Sequence, residues 1–255
     1  MSDLSADGAL IAANIETVKQ RMAAACGRVG RAPESVTLLP VTKTVPAERL
    51  RAAYAAGLRS CGENKVQEAK EKSEALADLP LSWSVIGHLQ TNKAKYVARF
   101  ADAFQALDSL RLAEALDRRL EIEGRTLDVF IQVNTSGEES KFGLEPSVAA
   151  DFARALAPFE RLKVRGLMTL AIFSADEMAV RACFRRLRAV QAEIRESAPG
   201  VCVDGLSMGM SGDFEWAIEE GATLVRVGQA IFGPRPLPDD HYWPGLGGKR
   251  EKETP

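Results

Sequence analysis

Eight short apolar runs, each followed by a stretch with helical periodicity, constrain this chain more than any other feature. The runs are Val36 to Val41, Leu58 to Cys61, Ser82 to Ile86, Ala103 to Ala106, Asp128 to Asn134, Val164 to Met168, Val203 to Ser207 and Leu224 to Val227. The first, VTLLPV, shows too little alternation for a strand with one wet face; that is the pattern of a strand covered on both sides, as in a parallel sheet flanked by helices. Helices are predicted between the runs: Ala47 to Ala56 ending at Gly57, Gly62 to Leu76 with its charges on the outer face, Asn92 to Phe100, Ser109 to Glu123, Val148 to Leu156, Ala175 to Glu196, and Asp213 to Glu220 ending at Gly221. A further helix over about residues 7 to 29 precedes the first strand, since Leu10, Ile11, Ile15, Val18, Met22 and Val29 recur at helical spacing.

This alternation predicts the α/β class. The length of 255 residues is close to the roughly 250 that a closed eightfold barrel uses. With no break in composition, the expectation is a single (β/α)8 TIM-type barrel with an extra N-terminal helix, spanning residues 1–236. Residues 237–255, ending GGKREKETP, read as a mobile tail. An open doubly wound sheet is the alternative, because periodicity does not distinguish a closed sheet from an open one.

Composition removes several function classes. Thirty-three basic against 35 acidic residues leave no electrostatic footprint for nucleic acid or an anionic membrane. No apolar run has the length of a bilayer span, and Met1 to Gly8 lacks the layout of a secretion signal. The expected location is cytoplasmic, and the expected state a monomer or weak dimer. Cys26, Cys61, Cys183 and Cys202 are far apart and form no CxxC, so they are expected to be reduced and mostly buried. With only His88 and His241 as imidazoles, no metal site is expected.

In a parallel α/β sheet the residues just past the strands share one face, where ligands bind. Lys43 leaves the first strand at the corner made by Pro46. An amine partly stripped of water there can act as a nucleophile toward an aldehyde, and the plain alternative is a solvated lysine at a loop start. MGMSGD places Ser211 before a helix, and VRVGQAIFG places Gly228 and Gln229 at another. Free backbone N–H groups and a hydroxyl there suit a phosphate, as loops after strands seven and eight of barrels often do; the alternative is capping by Ser211 and Asp213 with Gly228 easing a close contact. Arg226 lies inside the last strand, where a buried guanidinium requires either a carboxylate partner or a polar ligand. Asn64 and His88 follow strands two and three, each able to meet a ligand or to close a turn. Lys65, Lys93, Lys95, Lys141 and Arg99 read as surface charge.

VTKTVP, GENKVQE, WSVIGHLQTNK, VNTSGEESKFGL, RGLM, LSMGMSGDFEWAI and VRVGQAIFG, in this order from Val36 to Gly233, resemble the pyridoxal phosphate homeostasis protein family, whose fold is similar to the barrel half of alanine racemase. The resemblance implies pyridoxal 5′-phosphate (PLP) as cofactor, held as an internal aldimine on Lys43. It implies that Ser211 and the backbone of Gly228 and Gln229 hold the phosphate, that Arg226 faces the pyridine nitrogen, and that Asn64 lies beside the ring. It also implies PLP-dependent apo-enzymes as recipients. The family usually has Tyr where this chain has Lys65. An arginine at the pyridine nitrogen leaves the ring a poorer electron sink, and the chain ends soon after its eighth strand, without the β domain that brings alanine racemases a second acid/base. The expectation is a non-catalytic carrier. The competing readings are a PLP-dependent racemase using Lys43 with His88 or Tyr54, and an aldolase-like Schiff-base barrel acting on a sugar phosphate.

Overall fold

The computed structural model describes residues 2–234, with side chains from residue 6. The tail assigned to residues 237–255 lies outside the described residues. The strands are β1 (Thr37–Pro40), β2 (Ser60–Glu63), β3 (Ser82–Val85), β4 (Ala103–Leu107), β5 (Leu127–Gln132), β6 (Leu162–Met168), β7 (Gly205–Ser207) and β8 (Leu224–Val227). They form one sheet in the order β1-β8-β7-β6-β5-β4-β3-β2, with every pairing parallel. The two end strands meet at the single bridge Val41–Gly62, where the Thr42 N–H donates to the Gly62 carbonyl at 2.9 Å. The sheet is thereby closed into a (β/α)8 barrel.

The helices around it are α1 (Ser2–Arg28), α2 (Ala47–Ala55), α3 (Val66–Ala75), α4 (Ala94–Phe100), α5 (Leu110–Glu123), α6 (Ala149–Ala155), α7 (Glu177–Ser197), α8 (Phe214–Glu219) and α9 (Gln229–Phe232). Local chemistry sets their ends. The Ser109 hydroxyl accepts from the Leu112 N–H ahead of α5, which stops at Gly124 with φ of 63°, and Asp176 accepts from two N–H groups at the start of α7. Each buries one stripe against the sheet: Leu112, Leu116 and Leu120 on α5, and Val180, Leu187 and Ile194 on α7. Helix α1 buries Ile11, Ile15, Val18 and Met22 and is tied to the barrel by Asn14 donating to the Ile231 carbonyl at 2.9 Å and Arg49 donating to Asp7 at 2.7 Å. Leu10 and Val29, counted on the apolar stripe by spacing, face outward at 58% and 42% exposure.

Several expected boundaries move, among them the start of the helix expected from Gly62, which is Val66, and of the strand expected from Val203, which is Gly205; those of the second strand bear on the site. The second strand is Ser60–Glu63, not Leu58 to Cys61. Leu58 belongs to the end of α2, its N–H donating to the Ala53 carbonyl at 2.9 Å past Gly57 with φ of 100°. Gly62 and Glu63, expected to follow the strand, are instead its last rungs, opposite Ser84 and Val85. The helix after them holds one charge that does not face outward: Lys72 is 8% exposed. Cys26, Cys61 and Cys183 are buried thiols, whereas Cys202 is exposed; burial, with Glu63 nearby, pushes the Cys61 thiol up to about 12. No described helix is long and apolar enough to cross a membrane.

Candidate functional site

Lys43 stands one turn beyond β1 and is 7% exposed. The Val45 N–H donates to the Thr42 carbonyl at 3.0 Å, so Lys43 and Thr44 are the two central residues of a tight turn. Thr44 has φ of 66° and is the one described residue other than glycine at positive φ. For a β-branched residue that conformation is strained, at roughly 1–3 kcal/mol, and it persists only where the surroundings impose it.

The surroundings here are a buried ionic network. Lys72 Nζ donates to the Thr42 carbonyl at 2.7 Å, to Glu63 Oε1 at 2.8 Å and to Glu68 Oε1 at 2.6 Å. The Thr42 hydroxyl donates to Glu63 Oε1 at 2.6 Å, and the Thr44 N–H donates to Glu68 Oε1 at 2.6 Å. Glu63 is fully buried, and its second carboxyl oxygen has no hydrogen-bond partner among the described residues. Burial pushes its pKa up to about 7, against the pull of Lys72 and with a push from Glu68. The sequence reading missed this network, because Lys72 falls among four other charged residues of α3, a helix whose charges read as solvated. Glu63 gave no warning either, since it was expected to follow the strand and is instead its last, buried residue.

Lys43, Gly228 and Gln229 line one small cavity with Thr44, Arg49 and Phe232, about 60 Å³ in volume. That is room for roughly two waters or a small anion. Arg49, not singled out from the sequence, adds a guanidinium to this wall, held by Asp7 and the Phe232 carbonyl. Ser211 reaches the same corner from the loop after β7: its Oγ accepts from the N–H of Gly228 at 3.3 Å and of Ala230 at 3.5 Å. Asp213 does not cap α8 by its side chain; it accepts from the Met210 N–H at 2.5 Å and shapes the Ser211 loop. Gly228 also sits tightly, since a Cβ there would lie 3.0 Å from the Val41 carbonyl oxygen.

Arg226 is 3% exposed and has no carboxylate at ion-pair distance among the described residues. Its Nη1 donates to Ser207 Oγ at 2.6 Å and its Nη2 to the Thr169 carbonyl at 2.8 Å. Burial lowers its pKa to about 10, with the charge of Asp213 acting the other way, so it remains a cation at neutral pH. Ser207 in turn donates to Gln105 at 2.7 Å, and the Thr169 hydroxyl pairs with that of Thr135 at 2.8 Å. The upper interior of the barrel is therefore a polar layer with Arg226 as its donor.

Asn64 lines a different and larger opening of about 540 Å³, with Lys65, Glu68, His88, Gln90 and Lys93 among its walls. Its main chain is fixed by Gly87, where a Cβ would come within 2.2 Å of the Asn64 carbonyl oxygen. His88 stacks on Phe142 at 4.0 Å between ring centroids. Glu68 belongs both to this wall and to the network under Lys43. Lys141, read as surface charge, instead crosses to the Ala171 carbonyl at 2.9 Å. Tyr54 lies near the end of α2 with the Arg59 guanidinium over its ring at 4.2 Å, at the opposite end of the barrel from Lys43.

Comparison with known proteins agrees on one family. The family model described as alanine racemase, N-terminal domain, matches residues 7–236. A pyridoxal phosphate homeostasis protein of Aquifex aeolicus (strain VF5) is 42% identical over 221 residues, 87% of this chain and 96% of that protein. One from Escherichia coli (strain K12) is 40% identical over 228 residues, 88% and 97% of the two chains. Among solved structures, PipY of Synechococcus elongatus PCC7942 with PLP bound superposes with a TM-score of 0.78 at 36% identity, covering 88% of this chain and all of that one. Alanine racemase of Clostridium difficile 630 shares the fold, with a TM-score of 0.70 at 14% identity, over 90% of this chain and 57% of that one.

Proposed function

The chain belongs to the pyridoxal phosphate homeostasis protein family, and from that premise we propose that it binds PLP reversibly, with Lys43 as the covalent attachment point, and passes it to PLP-dependent apo-enzymes. When bound, the cofactor supplies an aldehyde with which a lysine amine forms a carbon–nitrogen double bond as water leaves. The observation that carries the reading is the shared cavity: a buried lysine, the Gly228 and Gln229 backbone and the Arg49 charge line one wall, beside a hydroxyl on which two backbone N–H groups converge.

Each residue has a defined task in this reading. Lys43 presents the amine from a buried turn at the wall of the cavity, where a lysine amine can attack an aldehyde. Ser211, Gly228 and Gln229 offer donors for the phosphate, and Arg49 adds a positive charge beside them. Arg226 would face the ring nitrogen; a guanidinium that keeps its proton at neutral pH donates none to the ring, which suits holding the cofactor over reacting it with amino acids. Asn64 stands at the neighbouring wall. Of the two side chains considered as a second base for racemisation, Tyr54 sits at the wrong end of the barrel and His88 is stacked on Phe142.

The test is direct. Purified protein incubated with PLP should develop the visible absorption of an imine, and borohydride reduction with peptide mapping should place the modified residue at Lys43. Mixing the loaded protein with a PLP-dependent apo-enzyme should restore that enzyme's activity. Colourless protein, or a tag mapped elsewhere in the wild type, would defeat the attachment; conversion of L-alanine to its enantiomer at ordinary enzymatic rates would defeat the carrier reading.

A further inference from the structure

The network beneath Lys43 ends on that residue's own turn, and this is more than fastening α3 to the sheet requires. For fastening alone, the Lys72 to Glu63 contact at 2.8 Å would serve. Lys72 also donates to the Thr42 carbonyl, before Lys43, while Glu68, held by the same ammonium, accepts the Thr44 N–H, after Lys43. The residue so held on the far side is Thr44, whose positive φ is unfavourable without an imposed contact.

We propose that Lys72 is a positioning residue for Lys43, acting through Glu68 and the Thr42 carbonyl to fix the backbone on both sides of Lys43 in the conformation from which its amine meets an aldehyde. This rests on the carrier reading above for its chemistry, but the clamp itself is a property of the chain without cofactor. Lys72 touches neither cofactor nor reacting atoms. Its ammonium also separates two carboxylates, Glu63 and Glu68, that would repel each other across the same space. Glu68 connects the clamp to the larger opening lined by Asn64 and His88, so the aim of Lys43 is set from that side of the mouth.

The experiment compares Glu68→Ala, Glu68→Gln and Lys72→Met with the wild type. The first measurement is amide hydrogen exchange at Thr44 in cofactor-free protein, followed by NMR. The second is the rate at which PLP becomes trapped on Lys43, with competition by inorganic phosphate as a separate reading of the anion corner. Removing the charged acceptor in Glu68→Ala, or the ammonium that holds that acceptor in place in Lys72→Met, is expected to speed Thr44 exchange by about tenfold or more. Trapping on Lys43 should slow by a comparable factor while phosphate competition is unchanged. Glu68→Gln, whose amide oxygen still accepts from Thr44, should restore most of both. Wild-type exchange and trapping in a folded Glu68→Ala protein would overturn the proposal, and so would equal effects of the Ala and Gln variants. If Lys72→Met does not fold, the two Glu68 variants decide. Should wild-type protein never trap PLP, the carrier reading falls, and the Thr44 exchange data still uphold or overturn the clamp.

Discussion

Gln105 on β4 and Ser207 on β7 are hydrogen-bonded at 2.7 Å, although β5 and β6 separate their strands in the sheet. Such a bond has to cross the inside of the barrel. It is continued by Arg226, which donates to the same serine, so β4 and the neighbouring pair β7 and β8 share one polar layer beneath the mouth.

Replacing Arg226 by Met should therefore do more than remove a charge. Ser207 Oγ and the Thr169 carbonyl would lose their donor in a site closed to water, which destabilises by about 2 kcal/mol. Urea denaturation should show the loss, and Arg226→Lys should recover only part of it, since one ammonium does not reproduce a planar fork that reaches two separate acceptors.

Thr44→Gly should have the opposite sign on stability. Glycine adopts a φ of 66° freely, removing roughly 1–3 kcal/mol of strain and adding back about 0.5–1 kcal/mol of unfolded-chain entropy. A net gain of about 1 kcal/mol in denaturant melts is expected, together with slower covalent uptake of PLP, because the turn carrying Lys43 is no longer restricted.

Glu63 gives the protein a pH dependence whose sign follows from its environment. Its pKa is raised from 4.5 to about 7 in the folded chain, so between those values the folded state holds a proton that the unfolded state has released. Stability from this group is complete below the unfolded value and falls as pH rises through about 7. Melting temperatures from pH 4 to pH 8 should decline more in the wild type than in Glu63→Gln across about 4.5 to 7, and identical pH profiles would refute this assignment.

Gly228→Ala should disturb both packing and the anion corner. The added Cβ would sit 3.0 Å from the Val41 carbonyl oxygen and 3.3 Å from the Val41 side chain. Overpacking of this kind typically destabilises by about 1–3 kcal/mol. The backbone shift that relieves it moves the N–H now directed at Ser211, so dialysis should strip PLP from the variant faster than from the wild type.

The barrel was legible because its signal is repeated: eight apolar runs, each with a helix behind it, survive errors of two residues at any one boundary. Leu58 shows the size of such an error, since a helix-terminating contact and a strand start look alike in an apolar residue after glycine. Lys43, Ser211, Gly228 and Gln229 were grouped because position relative to a strand end places a residue at the mouth, and Lys43, Gly228 and Gln229 do line one cavity with Ser211 bonded beside it. Lys72 and Arg49 were not: Lys72 lies in phase with the buried Val66 and Ala69, but a lysine on that stripe reads as a side chain reaching out to water until the opposing carboxylate is known. Arg226 was anticipated as a buried cation needing a partner, but its partners are a hydroxyl and a carbonyl, which no pattern of charges announces.

The seam between β1 and β2 rests on one bridge, Val41 to Gly62, immediately below the turn of Lys43. Elsewhere the neighbouring first and eighth strands share four paired positions. The seventh and eighth strands likewise pair at a single position, Ser207 with Leu224, so the turn of Lys43 and the loop of Ser211 both rise beside thinly paired seams, and side-chain contacts such as those from Lys72 and Glu68 carry more of the holding there.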